Sequence, residues 1–160
     1  YLQRKPLHEQ YELLKPMIEA KGYDACQEYV EQVVVLMREK VQFAKDVVKE
    51  GYYFFEQPKE YDQEVVRKKW KAETNGHILG LATTFEVLAA DANAEAYENA
   101  FKAYCETAGI KTGEVLQPLR VAVSGAPMGP PIWDMIALIG RDCVLPRLRD
   151  AAAKIQPTVA

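Results

Sequence analysis

A chain of 160 residues is long enough for one ordinary domain or two small ones. Hydrophobic residues make up 49% of it and charged residues 27%, which is typical of globular proteins and excludes a disordered chain. The net charge of −3 argues against a protein that binds nucleic acid, DNA included, by bulk electrostatic attraction. The longest apolar runs, such as residues 33–37, are too short to span a bilayer, so no membrane association is predicted.

The first predicted helix rests on apolar residues three and four positions apart. These residues are Leu7, Tyr11, Leu14 and Ile18. Pro16 lies inside this pattern and predicts a kink or a break into two pieces, because proline removes a backbone donor. Gly22 predicts the end of the helix.

A second helical face runs from Cys26 to Val41, and Asp24 with Gln27 resembles a capping box that starts it. A third helical segment covers residues 43–50 and ends at Gly51, before an aromatic cluster. Proline disfavours helix at the residue before it, so the Gln57-Pro58 step is the best subdomain boundary. The predicted subdomains are therefore residues 1–58 and 59–160.

The second subdomain contains the remaining start and stop signals. Predicted starts are Asp62, Asn93, Thr112, Pro118, Pro130-Pro131 and Asp142. Predicted stops are Gly109, Gly125 and Gly140, while residues 74–76 form a weaker break and one helix ends near Asp91. Residues 121–123 alternate briefly like a strand, but the run is too short to outweigh its helical surroundings. The fold class predicted is all-α, with eight to ten short helices.

The three cysteines, Cys26, Cys105 and Cys143, are odd in number and widely separated. This usage predicts reduced, buried thiols in a cytosolic protein. His8 and His77 have no neighbouring ligands at zinc spacing, so no metal site is predicted. No nucleophile elbow, phosphate-binding glycine loop or His-Glu-x-x-His helix is present, and no catalytic residue is predicted.

The charge is unevenly distributed along the chain. Residues 1–110 hold 14 Lys and Arg against 19 Asp and Glu, whereas residues 111–160 hold 6 against 4. The mildly basic C-terminal end, which includes Arg120, Arg141 and Arg147, permits a phosphate-bearing partner without requiring one. A solvated basic face is the alternative interpretation.

A rigid turn beside one arginine suggests non-covalent recognition. Pro127, Pro130 and Pro131 stiffen the segment after Gly125, so it would lose little conformational entropy on binding. Unpaired RNA bases are commonly bound by stacking on aromatic or arginine planes and by hydrogen bonds to base edges. Arg120 and Trp133 could supply both elements. The alternative is that Trp133 belongs to the core and Arg120 is an ordinary surface charge.

Three motifs resemble the C-terminal end of bacterial-type glutamyl-tRNA synthetases. They are Pro-Leu-Arg-Val-Ala-Val-Ser-Gly (118–125), Gly-Pro-Pro-Ile-Trp-Asp (129–134) and Leu-Ile-Gly-Arg-Asp-Cys-Val-Leu-Pro-Arg-Leu (138–148). Earlier segments are similar too, namely Glu-Lys-Val (39–41), Gly-Tyr-Tyr-Phe-Phe-Glu (51–56) and Arg-Lys-Lys-Trp-Lys (67–71). The resemblance covers essentially the whole chain, in order.

This resemblance implies the anticodon-binding half of a class I aminoacyl-tRNA synthetase, an all-helical cage in two subdomains. The whole enzyme of this family is a cytoplasmic ligase that attaches glutamate to tRNA(Glu) using ATP and Mg²⁺. The chain lacks the family's His-Ile-Gly-His and Lys-Met-Ser-Lys-Ser motifs. It is therefore expected to bind tRNA, to need no cofactor itself, and to meet glutamate and ATP only through a catalytic domain that it does not contain.

The resemblance also implies a set of anticodon-binding residues. The arginine of the Pro-Leu-Arg motif and the turn after it correspond to Arg120, Gly129, Pro130, Ile132 and Trp133, and Gln117 matches a polar position on the same surface. Lys40 stands where the family usually has an arginine.

The arginine position matters because anticodons for glutamate and glutamine differ at the third base, C against G. A donor-only cation meets acceptors on C and competing donors on G. Lysine lacks arginine's planar fork, so Lys40 leaves the strictness of this selection open. Pro146 is a second departure and predicts a shifted start of the last helix.

Two alternatives remain beside an anticodon-binding domain. The first is a helical protein-interaction module derived from such a domain, and the loss of arginine at Lys40 leans toward it. The second is a relaxed reader that also accepts tRNA(Gln). Retention of Arg120 together with Gly129-Pro130 favours anticodon recognition.

Overall fold

The structure is a computed structural model and describes residues 7–23, 26–37, 51–58, 60–127 and 129–155. Within these ranges it contains eight α-helices, one 3₁₀ helix and no strand, which confirms the all-α prediction. The helices are α1 (Leu7–Ala20), α2 (Gln27–Met37), α3 (Gln63–Lys69), α4 (Thr74–Glu86), α5 (Ala94–Ala108), α6 (Thr112–Ser124), α7 (Ile132–Ile139) and α8 (Arg141–Lys154), with the 3₁₀ helix at Tyr52–Phe54. None of the described helices combines the length and the apolar character needed to cross a membrane.

Most helix ends lie where local chemistry predicts them. The Asp62 carboxylate accepts from the Val65 backbone N–H at 2.9 Å, and Asn93 accepts from that of Ala96 at 2.9 Å, so both residues cap helices as expected. The predicted stops at glycines are confirmed, because each of these residues has a positive φ. They are Gly22, Gly109, Gly125 and Gly140.

Other predicted boundaries are wrong. Of the two effects predicted for Pro16, the break is wrong, because Leu14 and Ile18 on either side of it are buried and their packing keeps α1 in one piece, and the kink stays a prediction. Pro118 does not start a helix but lies inside α6, where its partner carbonyl would belong to exposed Glu114 and can be solvated. Residues 74–76 form the first turn of α4 and not a break.

Two boundaries near the ends of helices are also shifted. Helix α4 ends at Glu86, before the end predicted near Asp91. Helix α8 begins at Arg141, one residue before the predicted start, and Pro146 lies exposed in its interior. The proposed capping box at Asp24, the helix predicted over residues 43–50 and the Lys40 position lie outside the described residues.

Buried residues from α1 to the end of α8 form one hydrophobic cluster within the described ranges. Its largest fully buried side chains are Trp70, Tyr97, Phe85 and Phe101. Helix α4 packs most extensively against α8, and the α1–α2 pair joins the rest through α2 against α7. The subdomain division at Pro58 stays a prediction.

The three thiols are free, but they are not all buried. Cys105 is buried in α5, whereas Cys26 and Cys143 are exposed, which corrects the prediction of buried thiols. Cys26 precedes the first turn of α2. Cys143 lies in the first turn of α8, whose buried side is formed by Val144 and Leu148. Helix orientation, and not residue type, decides their exposure.

The aromatic segment after Gly51 connects α2 to the C-terminal helices. The Tyr29 hydroxyl donates to the Phe54 carbonyl, and the Tyr23 ring stacks on Phe55 with centroids 5.3 Å apart. Burial raises the pKa of Tyr29 to about 12, and the nearby Arg147 charge opposes the shift. Tyr29 is therefore held in its neutral form by its surroundings.

Stability should fall at alkaline pH, in part because of Tyr29. Its pKa is about 12 in the folded chain against 10.0 for a free tyrosine, so its contribution is complete below pH 10 and is lost as pH rises toward 12. We expect Tyr29→Phe to remove about 1–2 kcal/mol of this pH dependence. Urea unfolding at several pH values measures it. An unchanged alkaline slope in the variant would show that Tyr29 ionises as it does in the unfolded chain.

Candidate nucleic-acid interface

The segment 126–131, which we call the 126–131 turn, joins α6 to α7. It begins after Gly125 and ends at Pro131, the N-cap of α7. The Ser124 hydroxyl donates to the Arg120 carbonyl at 2.8 Å and accepts from the Ala126 N–H at 3.2 Å. These bonds fix how the turn leaves α6.

Two side chains of α6 hold the turn from beneath. Gln117 donates from Nε2 to the Pro127 carbonyl at 2.7 Å, and Arg120 donates from Nη1 to the Pro130 carbonyl at 2.9 Å. Residues three apart lie on one face of a helix, so one turn of α6 presents both donors together. The carbonyls of Pro127 and Pro130 are therefore each held by α6 before any ligand binds.

Arg120 lies half-buried at the centre of this arrangement. A Cβ atom at Gly129 would lie 3.3 Å from Arg120 Nη1 and 3.0 Å from the Tyr53 hydroxyl, so glycine permits this close approach. Burial lowers the pKa of Arg120 from its ordinary value, and nearby Tyr53 opposes the shift. The guanidinium remains a cation at neutral pH. Among the described residues it forms no ion pair, and only one of its donors is hydrogen-bonded.

The remaining candidate residues occupy different surroundings. Ile132 is 6% exposed and belongs to the hydrophobic cluster, and Pro130 is buried too. Trp133 is partly buried, and its ring packs against Phe101 of α5 with centroids 5.1 Å apart. The structure thus brings Gln117 and Arg120 together with the turn. Pro130 and Ile132 contribute mainly to its shape.

Arg147 was not predicted to be structural, yet it is 4% exposed and corrects the idea that it belongs to a solvated basic face. It donates to the Val123 carbonyl at 2.9 Å and to the Glu56 carbonyl at 3.1 Å. The residue four positions after Val123 is Pro127, which has no N–H to give that carbonyl. A proline four residues after Val123 is thus a sequence signal that another group must bond to the Val123 carbonyl. Burial lowers the pKa of the guanidinium from its ordinary value.

The described part of the chain contains no cluster of His, Cys, Asp or Glu suited to a metal ion. Among the described residues, the geometry at the turn instead offers a half-buried cation with one donor bonded to the Pro130 carbonyl, and carbonyls of Pro127 and Pro130 that α6 holds in place. These are features of a binding surface for a ligand with acceptor groups, such as a nucleotide base edge or a phosphate.

A family model described as the anticodon binding domain matches residues 9–152. The chain belongs to this anticodon-binding family. The domain is 36% identical over 135 residues to a glutamate–tRNA ligase of Chlorobium chlorochromatii, covering 84% of this chain and 27% of that protein. It is 33% identical over 151 residues to the enzyme of Porphyromonas gingivalis, covering 94% of this chain and 30% of that protein. The domain thus spans about a third or less of these curated relatives.

Solved structures give the same result for the fold of the domain. A glutamate tRNA ligase from Elizabethkingia meningosepticum, solved in complex with its amino acid, superposes with a TM-score of 0.89 at 25% identity. The match covers 98% of this chain and 31% of that one. A glutamate-tRNA synthetase from Elizabethkingia anophelis gives 0.81 at 24% identity, covering 96% and 30%. The domain is homologous to the anticodon-binding part of glutamate–tRNA ligases.

Proposed function

We propose that the domain binds the anticodon loop of tRNA(Glu) as the anticodon-reading part of a glutamate–tRNA ligase. The observation that carries this proposal is Arg120, a half-buried cation that α6 holds beside the turn by its bond to the Pro130 carbonyl, in a chain of the anticodon-binding family. We assign binding roles to Lys40, Gln117, Arg120, Gly129, Pro130, Ile132 and Trp133. Attachment of glutamate, with ATP and Mg²⁺, would take place in a catalytic domain that these 160 residues do not contain, in a cytoplasmic enzyme.

The chemistry of the donors favours C over G at the third anticodon base. On its Watson–Crick edge C offers two acceptors and one donor, whereas G offers two donors and one acceptor. The guanidinium of Arg120 and the ammonium of Lys40 only donate, so they complement C and leave donors of G unpaired. Leaving such groups unpaired on binding is costly, and this cost supports discrimination.

Binding can be tested with an anticodon stem-loop of tRNA(Glu) and a twin with G at the third anticodon position. We expect selective NMR shifts of the Trp133 indole and of residues around Arg120 with the C-bearing RNA at low salt. Equal shifts with both RNAs would indicate a relaxed reader that accepts tRNA(Gln). No shifts with either RNA would contradict anticodon binding and favour a protein-interaction module.

Arg120→Ala should weaken binding of the C-bearing stem-loop by about 1–3 kcal/mol and reduce discrimination against the G twin. The reason is that losing a base-edge contact lowers affinity only for the RNA with the matching base. Losing a phosphate contact lowers affinity for all RNAs alike. Affinities of both RNAs, measured by fluorescence anisotropy, check it. Uniform weakening toward both would make Arg120 a phosphate contact.

Two further variants separate the guanidinium from the shape of the turn. Gln117→Leu removes a hydrogen bond to the turn, at Pro127, but leaves Arg120 intact. Arg120→Lys keeps the charge and loses the planar fork. Discrimination between the C-bearing RNA and its G twin should be reduced less by Gln117→Leu than by Arg120→Lys. The reverse order would show that turn geometry, and not the guanidinium, reads the base.

A further inference from the structure

The buried side chain of Tyr53 lies next to Arg120 and the 126–131 turn. It is 2% exposed. A Cβ atom added at Gly129 would lie 3.0 Å from the Tyr53 hydroxyl oxygen and 3.3 Å from Arg120 Nη1. The hydroxyl and the guanidinium therefore face the same narrow space, which glycine leaves open.

The 3₁₀ helix holds Tyr53 in place. This helix packs against α6, and the Phe54 N–H donates to the Gly51 carbonyl at 3.0 Å. The Tyr53 ring meets the Tyr52 ring edge-on, with centroids 5.9 Å apart, and lies 5.0 Å from the Phe54 ring. A side chain that is ordered in this way before a ligand binds adds little entropic cost to binding.

Helix α2 orients the Tyr53 hydroxyl. The hydroxyl donates to Met37 Sδ at 3.9 Å, and Met37, the last residue of α2, is 2% exposed. A hydroxyl has one proton and two acceptor lone pairs, so one that donates to sulfur presents its lone pairs to its other neighbours. A guanidinium only donates. The two groups that face each other beside Gly129 are therefore complementary.

The orientation of the Arg120 guanidinium depends on contacts at Nη1. This nitrogen donates to the Pro130 carbonyl at 2.9 Å. One hydrogen bond leaves a planar group free to turn, whereas a second contact at the same end fixes its plane. That plane matters because arginine recognises a base edge through a flat fork of donors. Burial lowers the pKa of Arg120, and Tyr53 opposes this shift, as expected for a neighbour that stabilises the cation.

We propose that Tyr53 is a positioning residue for specificity, whose hydroxyl holds the Arg120 guanidinium in the orientation that distinguishes C from G at the third anticodon base. This inference rests on the proposed function, because it explains how Arg120 is aimed at the base. Since Tyr53 is buried, it acts through Arg120 and not by touching the RNA. Its effect on discrimination therefore requires the arginine.

The test is Tyr53→Phe, which removes the hydroxyl and keeps the ring. Affinities for the C-bearing stem-loop and its G twin are measured in the unmodified chain and in Arg120→Ala. In the unmodified chain, the affinity for the C-bearing RNA should fall about 2–10-fold, as for the loss of one hydrogen bond, with little change for the G twin. In Arg120→Ala the same change should leave both affinities within about twofold. Equal losses in the two backgrounds, or equal losses toward the two RNAs, would overturn the inference.

Tyr52→Phe is the matched control, because it removes the same atom from the half-buried neighbouring residue. It should keep the preference for the C-bearing RNA. The NMR signal of the Arg120 Nε–H in the free chain gives a readout that needs no RNA. This signal should move in Tyr53→Phe and stay in place in Tyr52→Phe. An unmoved signal in Tyr53→Phe would show that the hydroxyl does not orient the guanidinium.

The outcomes separate this inference from the proposed function. If the unmodified chain prefers the C-bearing RNA and Tyr53→Phe keeps that preference, only the role of Tyr53 fails. If the unmodified chain binds both RNAs equally, there is no preference for Tyr53 to support, and the inference fails while RNA binding stands. If it binds neither RNA, the proposed function and this inference both fail.

Discussion

Replacing Arg147 with methionine should lower the free energy of unfolding by about 2–4 kcal/mol. The guanidinium donates to the carbonyls of Val123 and Glu56, and in the described part of the chain no other group bonds to the first of these. Hydrogen bonds from a charged donor contribute about 1.5–3 kcal/mol each, and methionine supplies none. Removing the buried charge also removes the free-energy cost of its desolvation. The net loss in the free energy of unfolding is therefore smaller than the sum of the two hydrogen bonds.

The structural consequence reaches the candidate interface. Val123 lies in the last turn of α6, so its carbonyl belongs to the negative end of the helix dipole, which a cation stabilises. The same helix carries Gln117 and Arg120, and the 126–131 turn follows it directly. Arg147 thus supports the end of the helix from which the 126–131 turn departs. We expect Arg147→Met to weaken RNA binding through this loss of position.

The matched control is Arg149→Met, two residues further along α8. Its side chain is 51% exposed and pairs with Glu86 at 2.8 Å, so the change should stay within about 0.5 kcal/mol. Thermal unfolding should show a drop of about 5–15 °C for Arg147→Met only. Arg147→Lys keeps a cation but lacks the planar guanidinium with its several donors. Its unfolding temperature should lie between those of the two methionine variants. Equal stability of the two methionine variants would mean that desolvation cancels the hydrogen bonds of Arg147.

Sequence reasoning succeeded where the information is local. Asp62 and Asn93 cap helices through bonds to residues three positions away, and Gly109 and Gly125 end helices through their own φ values. Each of these signals depends on a few neighbouring residues, so it can be read from the sequence. The helical class followed because such signals recur along the whole chain.

The errors concern tertiary structure. Pro16 weakens its helix locally, yet buried Leu14 and Ile18 hold it together. Burial of Arg147 and exposure of Cys143 depend on which side of α8 faces the core, and the amino-acid type predicts the opposite for each. No local pattern contains that orientation.

The candidate site divides in the same way. The family resemblance points to Gln117, Arg120 and the turn as candidates because they lie within one short stretch of sequence, and their role in binding stays a prediction. The burial of Ile132 was not predicted, since it depends on contacts between helices far apart in sequence.

Gly125→Ala should be strongly destabilising, with an expected loss of about 2–5 kcal/mol. Gly125 has φ of +76°, a conformation that costs a residue with Cβ about 1–2 kcal/mol. The added Cβ would also lie 2.4 Å from the Glu60 carbonyl oxygen and 3.0 Å from Pro58 Cβ. Relieving that overlap requires backbone movement, which adds about 1–3 kcal/mol.

The Glu60 carbonyl cannot move away freely, because nearby Asp62 is fixed at two points. Its N–H donates to the Gly125 carbonyl at 2.9 Å, and its side chain caps α3. Gly109→Ala is the control, since φ there is +72° and a Cβ meets nothing within 4 Å. Urea unfolding of both variants separates the two costs. Gly109→Ala should lose only the conformational part, about 1–2 kcal/mol, and Gly125→Ala about 1–3 kcal/mol more. Equal losses would show that the segment around Pro58 moves away from α6 at little energetic cost. The contact between the two proposed subdomains would then be weak at that point.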